Sequence, residues 1–344
     1  MRVLVTGLGT FWGSKLAQAL EARDDVDVIV GVDRRAPRLP LRRTEFVRAD
    51  ASFTVLQRVV RATQVDTVLH THLEVDSTRV TRRQLHERNV IGTMNLLAAA
   101  GGEGSAVRRL LVKSSTLVYG SSYDDPYFFR EDTRRTHPPA TPVERSLAEV
   151  DTLVDDFAED HPEITTTRLR FANVLGEDVS TVFGRLLSMR VVPQVFGFDP
   201  RLQFVHEDDV TAALVHGATA DLRGIVNIAG AGTVTWSEAC AIVGRPRISM
   251  PPVLTGASAV PLRALRVVDI PPEILGLLRY GRAVDTSRSV AAGFPYEYST
   301  RETIEHFARA RRLDAIRGPR PEYAYEHDVE EFFRHSHAVV QRET

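Results

Sequence analysis

A chain of 344 residues is long enough to bury a substantial core and to form two lobes, and its formal charge of −2 argues against a general binder of nucleic acid or acidic membrane. The basic side chains are almost all arginine, with Lys15 and Lys113 the sole lysines, so each lysine carries weight. One cysteine, Cys240, excludes an internal disulfide, and the opening residues form a core strand with no signal peptide or apolar run of spanning length, so a cytoplasmic protein is expected.

The first predicted strand, residues 3–6, runs into Gly7-Leu8-Gly9-Thr10-Phe11-Trp12-Gly13 and then a helix-forming segment, 14–20. Glycines in such a turn let the backbone approach a pyrophosphate, whose charge is stabilised by the free N–H groups and dipole at the helix N-terminus. A second strand, 26–33, ends on Asp33, about 20 residues past the turn, where a carboxylate can accept hydrogen bonds from an adenosine ribose. Further strands are predicted at 45–48, 67–70, 109–114 and 165–170, alternating with helical periodicity. This pattern specifies an α/β class, a Rossmann-type doubly wound parallel sheet. After Gly176 the strands shorten and proline becomes commoner, with 191–197 and 224–229 still strand-like. The expected organisation is a dinucleotide-binding domain over 1–175 and a smaller α/β substrate lobe over 176–318. Segments around 203–230 return to the first domain, and 319–344 form a helical extension with a polar helix at 328–340.

Five later segments follow in order: Asp66 to His72, His86 to Leu97 with Asn89 and Gly92, Val112 to Gly120 with Ser114, Ser115 and Tyr119, Leu169 to Gly176 with Asn173, and Gln203 to Val210 with His206 and Asp209. Together with the glycine turn they resemble the extended short-chain dehydrogenase/reductases, the NAD-dependent epimerase/dehydratase family, and within it actinobacterial members described as UDP-glucose 4-epimerase-like. The resemblance spans roughly 2–309.

That resemblance implies NAD as cofactor, held by Gly7, Gly9, Thr10, Phe11, Trp12, Gly13, Asp33, Arg34, Asp50, Ala51, His70, Thr71, Asn89, Ser114 and Arg145. The family turn is Thr-Gly-x-x-Gly-x-x-Gly; here Thr10 replaces the middle glycine and Gly9 falls one place early, so the Thr10 hydroxyl is expected to donate to the diphosphate. Asp33 opposes a 2′-phosphate and favours NAD, while Arg34 and Arg35 are placed to accept one, which leaves NADP as the alternative.

Catalysis in the family rests on Ser or Thr with a Tyr and Lys four apart on one helix, the phenol exchanging a proton with the substrate. Ser115 matches the serine. Anchoring the helix on Glu149 puts Thr141 and Arg145 at the Tyr and Lys positions, where an aliphatic hydroxyl and a guanidinium are poor proton donors. Thr141-Pro142-Val143-Glu144 reads as a helix-capping box, followed by a buried stripe through Leu147, Val150, Leu153, Val154 and Phe157. Lys113 lies two residues before Ser115 and on the same strand face, which makes it a second candidate for proton transfer or a cofactor contact. Tyr123 and Tyr127 lie in the following loop, and Tyr119 reads as a packed aromatic. His70 and His72 share a strand face but lack a third ligand, so no metal is expected. Thr116 and Leu117 stand where dehydratases of the family carry an acidic pair, which disfavours water elimination. Asn173, Arg201 and Arg282, with Arg279 nearby, are candidates for holding a nucleotide-sugar phosphate.

The functional expectation is hydride transfer, as an epimerase or reductase, on a nucleotide-sugar or similar small molecule, with non-standard acid and base. The alternative is a catalytically impaired relative acting as a nucleotide-binding sensor or partner subunit. No nucleic-acid partner and no membrane span are expected. The family resemblance implies a possible homodimer through the helices after Gly92 and Glu144, which the apolar stripe on the second helix permits.

Overall fold

The computed structural model describes residues 1–251 and 270–317. Its frame is a seven-stranded parallel sheet: β1 Arg2–Thr6, β2 Val28–Asp33, β3 Thr44–Arg48, β4 Thr67–His70, β5 Arg109–Ser115, β6 Thr165–Phe171 and β7 Gly224–Ile228. In space they run 3-2-1-4-5-6-7, with every neighbouring pair parallel. The order reverses between β1 and β4, and a sheet of this kind opens a crevice at the carboxyl ends of the strands where the direction changes.

Strand composition explains the layering. In β1, Val3, Leu4 and Val5 are all fully buried, yet alternate sides: Leu4 packs with Leu56, Leu97 and Val150, whereas Val3 and Val5 pack with Leu16, Leu20 and Leu214. A strand apolar on both faces needs helices on both. One layer is supplied by α2 (Phe53–Thr63), α3 (Gly92–Ala100) and α4 (Pro142–Asp160), the other by α1 (Phe11–Glu21) and α5 (Glu207–Thr219).

The predicted strands are present with ends shifted by a residue or two; β2 begins at Val28, while β5 and β6 extend to Ser115 and Phe171. Residues 224–228 form the edge strand β7 of the main sheet. Val192–Val195 pairs with Arg247–Met250, a strand the sequence pattern did not indicate. The predicted extension from 319, including the helix at 328–340, lies outside the described residues. Among the described residues no helix is long and apolar enough to cross a membrane.

Candidate active site

The glycine turn is closed around its own backbone. Gly7 has φ +82°, and a β-carbon on it would lie 2.9 Å from Cβ of His72; one on Gly13 would lie 2.1 Å from the Gly7 carbonyl oxygen, so neither position admits a side chain. Thr10 caps α1: its Oγ1 accepts from Gly13 N at 3.0 Å and donates to Gly7 O at 2.7 Å. The hydroxyl proton expected to reach a diphosphate is therefore spent on the turn itself. The N–H groups of Phe11 and Trp12 have no hydrogen-bond partner among the described residues, and they open the helix beside that cap. At the end of β2, Asp33 is buried, its two carboxylate oxygens accepting from Gly9 N at 3.1 Å and Arg35 N at 2.9 Å. Arg34 is exposed and meets Asp50 at 3.3 Å, and the Ala51 carbonyl accepts from Asn95.

Three of the residues expected to line the cofactor, His70, Thr71 and Asn89, tie the frame together. His70 is buried with Nδ1 2.7 Å from Thr6 Oγ1 and Nε2 3.0 Å from Thr93 Oγ1, and burial pushes its pKa down to about 3, so it stays neutral. Thr71 donates to Thr6 O at 2.9 Å. Asn89, fully buried in the π-helical turn Glu87–Ile91, clamps the backbone of Glu74 from both sides at 2.8 Å and donates to Ser146 Oγ at 3.0 Å. Among the described residues no three metal-ligating side chains come together.

At the carboxyl end of β5 the side chains are less committed. Lys113 is 7% exposed, its ammonium 5.2 Å from the Trp12 ring and 5.6 Å from that of Phe171, with no hydrogen-bond acceptor among the described residues. Burial lowers its pKa to about 8, partly opposed by the charge of Glu74. Burial in turn raises the Glu74 carboxyl. Ser114 Oγ is buried without a partner. Ser115 Oγ accepts from Leu117 N at 3.2 Å, which starts the short helix Thr116–Tyr119 and leaves the hydroxyl proton available.

Helix α4 holds Thr141 at its N-terminus and Arg145 on its outer side. Thr141 caps it, accepting from Glu144 N at 3.2 Å, as the local pattern predicts. The reciprocal half of the box is altered: the Glu144 carboxylate takes Ala140 N at 3.1 Å and Arg135 Nη2 at 2.7 Å. Arg145 is exposed and lines a cavity of about 580 Å³ with Arg82, His86 and Glu149, on the outer side of the helix. The residues four apart that turn inward are Val143 and Leu147, both fully buried and packed with Leu110 and Val112 of β5. Asp151, one turn on, is buried against Arg168 and Arg170 of β6, whereas Glu149 faces His86 at 3.4 Å. Tyr119 donates to Asn227 Oδ1 at 2.8 Å and stacks on Phe129, while Tyr123 and Tyr127 are exposed.

The expected substrate residues divide. Asn173 donates to Gln203 O at 2.9 Å, and Arg201 is exposed. Arg282 is buried, with Nη1 on Gly120 O at 2.7 Å and Nη2 without a partner, and burial lowers its pKa to about 10. Glu74 is the residue that sequence reasoning missed; it follows His70 by four positions, and no local pattern marks it.

Residues 3–229 match the NAD dependent epimerase/dehydratase family. The chain belongs to this family. An uncharacterized protein of Mycobacterium tuberculosis is 34% identical over 323 residues, covering 92% of this chain and 86% of that one. Among solved structures, MoeE5 in complex with UDP-glucose and NAD aligns with a TM-score of 0.69 at 22% identity, over 92% of this chain and 100% of that chain. The UDP-glucose 4-epimerase of Thermus thermophilus, complexed with NAD, aligns with a TM-score of 0.69 at 21% identity, over 91% and 99% of the two chains. At these identities the structural likeness establishes the epimerase/dehydratase fold.

Proposed function

We propose that this family member binds NAD across the carboxyl edge of the sheet and uses it for hydride transfer at a hydroxyl-bearing carbon of a nucleotide-sugar-type substrate. The observation that carries the reading is the pair of unpartnered N–H groups of Phe11 and Trp12 at the opening of α1, with the Asp33 carboxylate fixed at the end of β2. Amides at a helix N-terminus suit a diphosphate, and a carboxylate at that distance along the chain suits ribose hydroxyls. When bound, the nicotinamide supplies the hydride acceptor.

This chain's own residues then orient and polarise. Ser115, its proton uncommitted, donates to the substrate oxygen, and the buried Ser114 hydroxyl gains a partner as the crevice fills. Arg282, with one free buried nitrogen, and the exposed Arg201 are assigned to the substrate's phosphates, and Asn173, donating to Gln203 O, to holding the segment that follows Arg201. Support for the substrate class comes from the UDP-sugars bound by the structural relatives.

A second reading, a nucleotide-binding protein with impaired catalysis, is favoured by the apolar pair Val143 and Leu147. Anchoring α4 on the buried Asp151 in place of Glu149 assigns those two residues to the Tyr and Lys positions. The two readings separate by mass spectrometry of the gently purified protein for bound nucleotide, followed by absorbance at the NADH band with a panel of UDP-sugars. Nucleotide with no NADH supports the second reading, and no nucleotide removes both.

A further inference from the structure

The two lysines of the chain live in opposite environments. Lys15 has an ordinary ion pair, 2.8 Å from Asp208. Lys113 has none: an ammonium held in the sheet by two aromatic faces, with no acceptor within hydrogen-bond reach among the described residues. Burying a charge without a hydrogen-bonded partner is costly, and folding would select against it unless the group served a ligand. Its position points to which ligand. The ring it touches belongs to Trp12, whose N–H is one of the two unpartnered amides opening α1. Ser115, two residues along β5, projects from the same strand face, roughly 7 Å further toward the crevice. A hydroxyl group placed between the two would meet a donor and an amine.

The other side chains that could carry a proton are placed less well for this. Tyr119 is bonded to Asn227, Tyr123 and Tyr127 are exposed, α4 turns Val143 and Leu147 inward, and His72 lies against Gly7 at the ribose end.

We propose that Lys113 is the proton-transfer residue of this site, taking the place of the phenol that α4 lacks. The inference rests on the NAD-binding reading above. In the oxidative direction the neutral Lys113 amine accepts the substrate's hydroxyl proton. The O–H bond breaks and an N–H bond forms; the carbon loses its hydride to the nicotinamide of NAD⁺, and the C–O single bond becomes a carbonyl. Oxidised substrate, NADH and the Lys113 ammonium balance the step, and reversal returns proton and hydride. Burial, which holds the amine near pKa 8, keeps a usable fraction neutral under physiological conditions. Glu74, its backbone held by Asn89, is the charge that limits this depression.

Because Lys113 and Lys15 are the only lysines, selective ¹³C labelling of lysine gives two side-chain signals in the full-length protein. The proposal expects one to titrate near 8 and to shift on addition of NAD⁺, while the Lys15 signal titrates above its ordinary value of 10.5 and stays in place. With NAD⁺ and the UDP-sugar panel, NADH formation rises with pH through the same midpoint. Lys113→Met lowers it by about 100-fold with NAD⁺ affinity within a few-fold of wild type, and Lys113→Arg does not restore it. Both signals titrating at ordinary values, or a Lys113 signal unmoved by NAD⁺ that calorimetry shows to be bound, overturns the role of Lys113 and leaves cofactor binding standing. Absent NADH formation across the pH range overturns it equally, and absent NAD⁺ binding removes both claims.

Discussion

The ammonium of Lys113 on β5 sits 5.2 Å from the ring of Trp12 at the start of α1, so the glycine turn and the serine strand share one buried cation. A cation–π contact of this kind contributes about 1–2 kcal/mol when desolvated, less than the cost of removing an ammonium from water. The site is therefore destabilised by its own chemistry.

Stability should show this directly. The Lys113 pKa falls from 10.5 to about 8 on folding, so between those values the unfolded chain holds more protons than the folded one. The penalty is fully present below pH 8 and fades as pH rises toward 10.5. Lys113→Met should then stabilise the protein by about 3 kcal/mol at neutral pH in urea unfolding, with the gain disappearing in alkali. A destabilised Lys113→Met protein at pH 7 contradicts this electrostatic account.

Thr10 competes with the ligand for the first turn of α1. Thr10→Gly should free the N–H of Gly13 and tighten NAD⁺ binding several-fold by calorimetry, at a stability cost of only a few tenths of a kcal/mol. Thr10→Ala, which lacks glycine's tolerance at a cap, should lose about 1 kcal/mol. Weaker binding by the glycine variant would show that the hydroxyl contacts the diphosphate after all.

Cofactor choice should turn on Asp33. Asp33→Gly removes the ribose acceptor and the anchor for Gly9 and Arg35, and leaves Arg34 and Arg35 beside the vacated position. The ratio of NAD to NADP affinity is expected to fall by at least about tenfold in paired titrations, since a carboxylate no longer repels the 2′-phosphate. An unchanged ratio would relocate the selectivity to another residue.

The buried acid of α4 gives a fourth test. Asp151→Asn leaves the buried Arg170 without its carboxylate, while Arg168 keeps Asp155, which should cost about 3 kcal/mol in thermal or urea unfolding. Glu149→Gln, on the outer face beside His86, should change stability by less than about 0.5 kcal/mol. Equal effects from the two substitutions would remove the case for Asp151 as the helix's anchor.

The frame was legible because its signals are local. Alternating apolar strands, the glycine turn and the Thr141 cap each depend on residues within a few positions of one another, and each is where the pattern put it. Long-range pairings were not legible. Nothing near Glu74 says that Asn89 holds its backbone or that its charge acts on Lys113, and nothing near His70 says that Thr6 and Thr93 claim both ring nitrogens. The register of α4 against the family is not legible in the sequence for the same reason. Glu149 and Asp151 are equivalent as sequence letters, and only β6, with its two inward arginines, distinguishes the buried acid from the solvated one.

On the proposed function, the opened amides of Phe11 and Trp12, with Asp33, form a dinucleotide site despite the threonine between the glycines. Isothermal titration of the nucleotide-free protein with NAD⁺ should then show saturable one-to-one binding in the micromolar range that is lost in Gly13→Val. No binding heat at millimolar NAD⁺ or NADH would mean that these groups form no such site.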